Sequence, residues 1–317
     1  MCLTVSQIVS ALAPNFAVLA GGRVLCALTH GLMWSVIAPI GARLVPTSHA
    51  GRATAAVYVG TGLALVVGNP LTAALSELWG WRLAVTAVAV AAAVVTLAVW
   101  TTLPPMPAAR AAQTAPRRHR RNRRLLTLSV LTLIGVTGHF IAYTFIVVII
   151  RDVVGVHGAH LAWLLAGYGV AGLLAMAAMA RPLDHRPKAS VVGCLAALAA
   201  ALLTLAVLAV DPPPGVATVV VGAVGIVLWG AASTALPPML QASAMRTAPD
   251  DPDGASGLYV AAFQIGIMAG ALVGGAVYDT AGLAAMIGTA AALIIVAMCG
   301  ALATRGVLVS SLRSRPE

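Results

Sequence analysis

Apolar stretches of about 20 residues recur along the whole chain, with only short polar gaps between them. That is the length a helix needs to cross roughly 30 Å of hydrocarbon at about 1.5 Å per residue. Ten apolar segments can be marked, at residues 1–13, 16–44, 53–76, 82–103, 125–150, 159–181, 189–210, 215–241, 255–278 and 281–303. With 60% hydrophobic and 9% charged residues, and a mean hydropathy of +0.97, lipid rather than water is the expected solvent. Backbone inside lipid must satisfy its own hydrogen bonds, and Ala/Leu/Val runs with scattered Gly suit helices rather than alternating barrel strands. The predicted fold class is an all-α integral membrane bundle of about ten helices.

A net charge of +10 invites a nucleic-acid reading, but the basic residues lie in the gaps between apolar runs, as membrane topology requires. Placing the gap at 104–124 in the cytoplasm, because it carries RRHRRNRR, fixes every other loop by alternation. Arg43, Arg52, the seven arginines from Arg110 to Arg124, Arg181, Arg186, Lys188, Arg246, Arg305, Arg313 and Arg315 then share one side, 16 of the 19 Lys and Arg. Of the remainder, Arg82 and Arg151 sit at outer helix ends and Arg23 lies within a helix. The uncharged DPPPG turn at 211–215 and the Trp79/Trp81 pair face outward. The arginine run serves as topology determinant and contact for anionic lipids at the cytoplasmic surface. Arginine outnumbers lysine 18 to 1 and alanine fills the apolar runs, the bias of a GC-rich bacterial genome. The expectation is a multi-pass protein of the bacterial inner membrane with its C-terminus in the cytoplasm. Cys2, Cys26, Cys194 and Cys299 have no CxxC spacing, so neither a disulfide framework nor a zinc site is indicated.

An internal repeat is visible at an offset of 202 (255 minus 53): Ala53 aligns with Ala255, Gly68 with Gly270, Ala74 with Ala276, Glu77 with Asp279, Gly80 with Gly282 and Ala89 with Ala291. The second half opens near Leu125, so an equivalent opening of the first half would fall about 77 residues (202 minus 125) before Met1. Residues 1–13 also lack a basic signal-peptide start and an A-x-A-like cleavage site. The expected organisation is an incomplete first bundle at 1–103, a basic cytoplasmic linker at 104–124, a six-helix second bundle at 125–303 and a cytoplasmic tail at 304–317.

These segments resemble the major facilitator superfamily, and within it the drug:proton antiporter branch that includes bacterial arabinose-efflux and chloramphenicol-resistance permeases. GRVLCALTHGLMWSVIAPIGARLVP is similar to that branch's fourth helix, and GRATAAVYVGTGLALVVGNPLTAALSELWGWR to its fifth with the following turn. TGHFIAYTFIVVIIRDVVGV resembles its seventh helix and GLYVAAFQIGIMAGALVGGAVYDTAGL its eleventh. The resemblance implies a pseudo-symmetric twelve-helix transporter that alternates between inward and outward openings, of which this chain carries helices three to six and the second six. Two departures stand out. The first two helices, with the family's gating motif, are expected to be missing, and its second-half counterpart ARPLDHRPK keeps Asp184, Arg186 and Lys188 but lacks the family's glycines.

Arg23 is the first candidate for function, because a charge within a membrane helix costs about 2.5–3.5 kcal/mol on insertion scales unless it faces protein or water. The resemblance places it at a cavity-lining basic position linked to proton handling; snorkelling to the interface is the plainer reading. His30 lies two turns further on the same helix face. No Asp or Glu occupies the middle of any helix, so His30 and His139 are the mid-membrane groups that titrate near neutral pH. Either could equally be a neutral histidine hydrogen-bonded to a neighbour. His139 and Tyr143, at i and i+4, offer a donor/acceptor and an aromatic edge to a polar ring, as do Trp229, Ser233 and Thr234. By resemblance these line the substrate path, although as packing residues they need no function.

Gly60, Gly68 and Pro70 form the Gly/Pro pattern that the family's exporters carry on their fifth helix, with Asn69 interrupting the usual Gly-Pro pair. Gly266 and Gly270 have small-xxx-small spacing, which lets helices approach closely. Both sets, with Asp184 and Arg186, are the conformational candidates.

The leading expectation is proton-coupled efflux of a drug, sugar or metabolite by alternating access, with a small molecule and protons as partners and a monomer as the working unit. A non-transporting, truncated remnant is the alternative. An enzyme is not expected: there is no HExxH, GxSxG, CxxC or paired membrane carboxylate, and no cofactor or metal motif.

Overall fold

Asparagine and aspartate side chains start three of the helices. In the computed structural model Asn15 Oδ1 accepts from Val18 N at 3.0 Å, Asn122 Oδ1 from Leu125 N at 3.1 Å and Asp251 Oδ1 from Gly254 N at 3.0 Å. Each satisfies an amide that the first helical turn leaves without an acceptor. The structure describes residues 1–44, 50–102, 122–212, 215–248, 251–304 and 308. The basic linker up to Arg121 and most of the C-terminal tail lie outside the described residues.

The elements are α1 (Cys2–Ala11), α2 (Phe16–Arg43), α3 (Ala50–Leu63), a π-helical turn (Ala64–Gly68), α4 (Asn69–Trp79) and α5 (Trp81–Thr102). After the linker come α6 (Arg123–Tyr143), α7 (Ile146–Ile149) with a second π-helical turn (Ile150–Val154), α8 (Ala159–His185), α9 (Pro187–Val210), α10 (Val216–Thr247) and α11 (Pro252–Ala303). No strand occurs among the described residues. All ten apolar segments are helical; the largest boundary change is at α10, which continues to Thr247 rather than 241. Among the described residues seven helices are long and apolar enough to cross a membrane. The 52-residue α11 is two arms joined at Gly282, so segments 255–278 and 281–303 are both present within it.

The repeat has a backbone counterpart. Gly80 joins α4 to α5 at φ 84°, ψ 157°, and Gly282 joins the arms of α11 at φ 82°, ψ 179°. Positive φ at these ψ values is open essentially to glycine alone, which is why the same residue stands at both one-residue turns. Pro70 has no N–H to offer residue 66, and the chain absorbs the lost bond as the π turn at Ala64–Gly68 before α4 starts.

The chain divides into two compact units, Met1–Thr54 with Val67–Ala115, and Ala55–Val66 with Pro116–Glu317. In the first, α1 packs on α2 and α5. A Cβ on Gly22 would lie 2.8 Å from Ser10 Oγ, so glycine is what admits the buried Ser10. The Thr4 and Thr96 hydroxyls meet at 3.4 Å, and Arg82 donates to the Ala13 carbonyl at 3.3 Å. Elsewhere α2 presents Val24, Leu28 and Leu32 outward, apolar surface that a bilayer accepts.

The second unit has a denser interior. The first arm of α11 lies directly against α6: a Cβ on Gly266 would stand 2.8 Å from Val136 Cβ, on Gly270 2.6 Å from Thr137 O, and on Gly274 2.7 Å from Ile141 O. This is close backbone approach of the kind small-xxx-small faces permit. Two polar ties fasten helix ends: Asn122 Nδ2 donates to Thr247 O at 2.8 Å, and Lys188 Nζ donates to Leu302 O at 2.7 Å and Thr304 O at 3.0 Å. A lysine at the last carbonyls also complements the helix dipole. A buried relay links α3, α10 and α11: Tyr58 OH donates to Gln241 Oε1, and Gln241 Nε2 donates to Ser256 Oγ at 2.9 Å.

Candidate functional site

Polar side chains in the middle of apolar helices must find partners or face water, because hydrocarbon offers none. In the second unit three of the residues singled out from sequence meet directly, and a fourth joins them through a tyrosine. Trp229 of α10, fully buried, donates its indole N–H to His139 Nδ1 of α6 at 3.0 Å. The Tyr143 ring stacks on His139, with centroids 5.1 Å apart and planes at 25°, and meets the Trp229 ring edge-on at 6.4 Å. Ser233, one turn beyond Trp229, shares a hydrogen bond of 2.7 Å with the hydroxyl of Tyr168 on α8.

Tyr168 is the residue that sequence reasoning missed. Its ring lies 5.8 Å from Tyr143 and 6.0 Å from Trp229, closing the cluster from the third side. A signal was available in its setting, Ala-Gly-Tyr-Gly at 166–169. Opposite it stands Gly230, where any Cβ would overlap the Tyr168 backbone, so glycine brings α8 and α10 together at this level. Thr234 packs over Gly172 one turn along.

The indole N–H can only donate, so His139 Nδ1 must be an unprotonated acceptor and the ring is the neutral Nε2–H tautomer in this geometry. No other described residue hydrogen-bonds to that ring. A second proton could enter Nδ1 only after the Trp229 bond opened. Three helices thus meet in one cluster, whose histidine has its protonation tied to a contact between α6 and α10.

In the first unit, Arg23 and His30 of α2 are both exposed, and Trp34 donates its indole N–H to His30 Nε2 at 2.7 Å along the same helix. Arg23 is not joined to His30 by any described contact. Among the conformational candidates, Gly266 and Gly270 form the contact face with α6, Gly60 has open space where a Cβ would stand, and Gly68 and Pro70 flank the π-turn junction. Arg186 is exposed at the α8–α9 junction, and the Asp184 side chain lies outside the described residues. Beyond the apolar spans, Arg151 and Asp152 form a bidentate pair at 2.6 and 2.9 Å. The Arg151 hydrogen bond holds the Asp152 carboxyl below its usual range.

The chain matches the Major Facilitator Superfamily over residues 1–251 and again over 128–316. It is 61% identical over 303 residues to a chloramphenicol efflux pump of Mycobacterium tuberculosis, in strain CDC 1551 / Oshkosh and in strain H37Rv, covering 95% of this chain and 73% of the pump. The human organic anion transporter MFSD10 shares its fold with a TM-score of 0.70 at 18% identity, over 95% of this chain and 75% of that one. The fucose:proton symporter FucP of E. coli does so at 0.66 and 17%, over 95% and 82%. On this match and this degree of identity, the chain belongs to the Major Facilitator Superfamily and is a multi-pass membrane protein of that family.

Proposed function

We propose that the chain is a proton-coupled exporter of a small molecule, working by alternating access in a bacterial inner membrane with its C-terminus in the cytoplasm. The observation that carries the proposal is the His139–Trp229 bond within the Tyr143, Tyr168 and Ser233 cluster. It joins a titratable ring to surfaces suited to an aromatic or polar solute. His139 lies near the middle of the helical stretch from Arg123 to Val154, and Trp229 near the middle of α10, so both belong at mid-bilayer depth, where transporters of this kind hold substrate and coupling ion.

In this reading a proton arriving at His139 Nδ1 breaks the indole bond and frees α10 to shift against α6. A substrate ring stacking on the half-buried Tyr143 favours the opposite arrangement, in which the indole bond is kept. The two events exclude one another, which is what antiport requires. Thr234 borders the path. Within the first unit, Arg23 and His30 are the candidates for proton or substrate handling, because an exposed cation on an apolar helix is tolerable where water or protein meets it. Gly60, Gly68, Pro70, Gly266, Gly270, Asp184 and Arg186 permit or limit the movement. The working unit is a monomer, and the reaction is transport rather than catalysis.

The related chloramphenicol efflux pump makes chloramphenicol the first compound to assay. In inverted vesicles holding the purified chain, an imposed proton gradient should drive chloramphenicol uptake, and His139→Asn should abolish the gradient dependence while leaving counterflow. Absence of gradient-driven uptake of chloramphenicol and other small antibiotics, with the chain correctly inserted, would instead favour a non-transporting remnant.

A further inference from the structure

Between α8, α9 and α10 runs an open groove of about 410 Å³, separate from the aromatic cluster. Its walls are small or apolar: Ala175 of α8, Gly193 and Ala197 of α9, Ala231 of α10. Among the described residues the one charged side chain on it is Arg186, at the junction where α8 ends and α9 begins. Ala197 lies 11 residues further along α9, so the groove descends about 16 Å from that end at 1.5 Å per residue, roughly half the hydrocarbon thickness.

The Arg186 end has a second attraction for an anion. Pro187 has no N–H and the Ser190 amide bonds the Arg186 carbonyl at 3.0 Å, so the first turn of the 24-residue α9 leaves the amides of Lys188 and Ala189 without a helical acceptor, at the positive end of its dipole. Ser190 Oγ donates to the Arg186 carbonyl at 3.1 Å, which fixes the junction. No described residue accepts a hydrogen bond from the Arg186 guanidinium, whereas Lys188 is engaged with the carbonyls ending α11. A guanidinium fork matches phosphate oxygens two at a time.

We propose that this groove is a binding site for one anionic glycerophospholipid, its phosphate on Arg186 and the start of α9, and one acyl chain lying over Gly193 and Ala197 towards Ala231. The occupant is a lipid rather than a soluble phosphate because beyond Arg186 the groove runs over small and apolar walls that a soluble phosphate would leave uncovered. The site does not depend on the transport reading.

The test uses the full chain in proteoliposomes with phosphatidylglycerol carrying a diazirine in its acyl chain, against the phosphatidylcholine equivalent. Crosslinks should map to 189–197 and 228–232, with at least fivefold higher yield for phosphatidylglycerol. Arg186→Gln should remove that preference. Gly193→Leu should bring labelling to background, and because a Cβ at Gly193 meets nothing within 4 Å it should fold normally. Equal yields from the two lipids, labelling spread over other apolar faces such as α5, or unchanged labelling in either variant would each overturn the site.

Discussion

Among the described residues two histidines accept an indole N–H, and the two bonds teach different things. His30 receives Trp34 at 2.7 Å from one turn along α2, on an exposed face. His139 receives Trp229 at 3.0 Å from 90 residues away, beside a fully buried indole. The first bond is a local consequence of i, i+4 spacing and survives any movement of α2 as a body. The second exists only while α6 and α10 hold their present separation, so it reports tertiary structure. The same chemical contact is decoration in one place and a position sensor in the other.

The largest test removes the packing on which that difference rests. Gly270→Val should prevent folding or cost about 3 kcal/mol or more, because a Cβ there would meet Thr137 O at 2.6 Å and Phe140 Cβ at 2.7 Å. Gly60→Val, with open space around it, should change the melting temperature little. Comparable losses from both, by thermal unfolding in detergent, would show that the close approach of α11 to α6 is not what makes Gly270 critical.

Next in size, Trp229→Phe leaves His139 Nδ1 without its donor, for an expected loss of about 1–3 kcal/mol and a fall of tenfold or more in gradient-driven transport. Trp34→Phe should cost under about 0.5 kcal/mol and less than twofold in rate. If the two variants lose equally, the contrast between the histidines is wrong.

A double-mutant cycle of Tyr168→Phe with Ser233→Ala should give a coupling of about 1 kcal/mol in unfolding, since the 2.7 Å bond between them is buried. Additive losses would remove Tyr168 from the site.

The smallest effect concerns Asp152. Its carboxyl is held low by Arg151, so the pair stabilises the fold above the unfolded carboxylate value of about 3.9, and that contribution fades as pH falls through the depressed folded value. Both side chains are exposed, so the difference between wild type and Asp152→Asn in melting temperature at pH 7 should be under about 1 °C and vanish in acid. A larger difference would mean that this outer pair is less screened than its exposure suggests.

The helices were legible because hydrocarbon thickness imposes a length and a composition that local sequence carries by itself. His139, Tyr143, Trp229 and Ser233 were legible as polar interruptions of apolar runs, and i, i+4 spacing placed them pairwise on common faces. Which faces meet was not legible, since that depends on where glycines admit neighbouring backbones. Tyr168 escaped notice for this reason: its importance comes from Gly230 on another helix, 62 positions away. Arg23 illustrates the converse. Its charge marks it as unusual in α2, but a helix apolar nearly all round carries no periodicity to say what the guanidinium should meet.

A single glycine with a positive φ replaces a loop at both Gly80 and Gly282. So short a joint has no slack. The two arms of α11 cannot slide past one another or separate at that end, and α4 and α5 are bound in the same way. Whatever motion these pairs undergo must be shared, each tilting as a stiff fork pivoted at its closed end, so that displacement is magnified at the open tips.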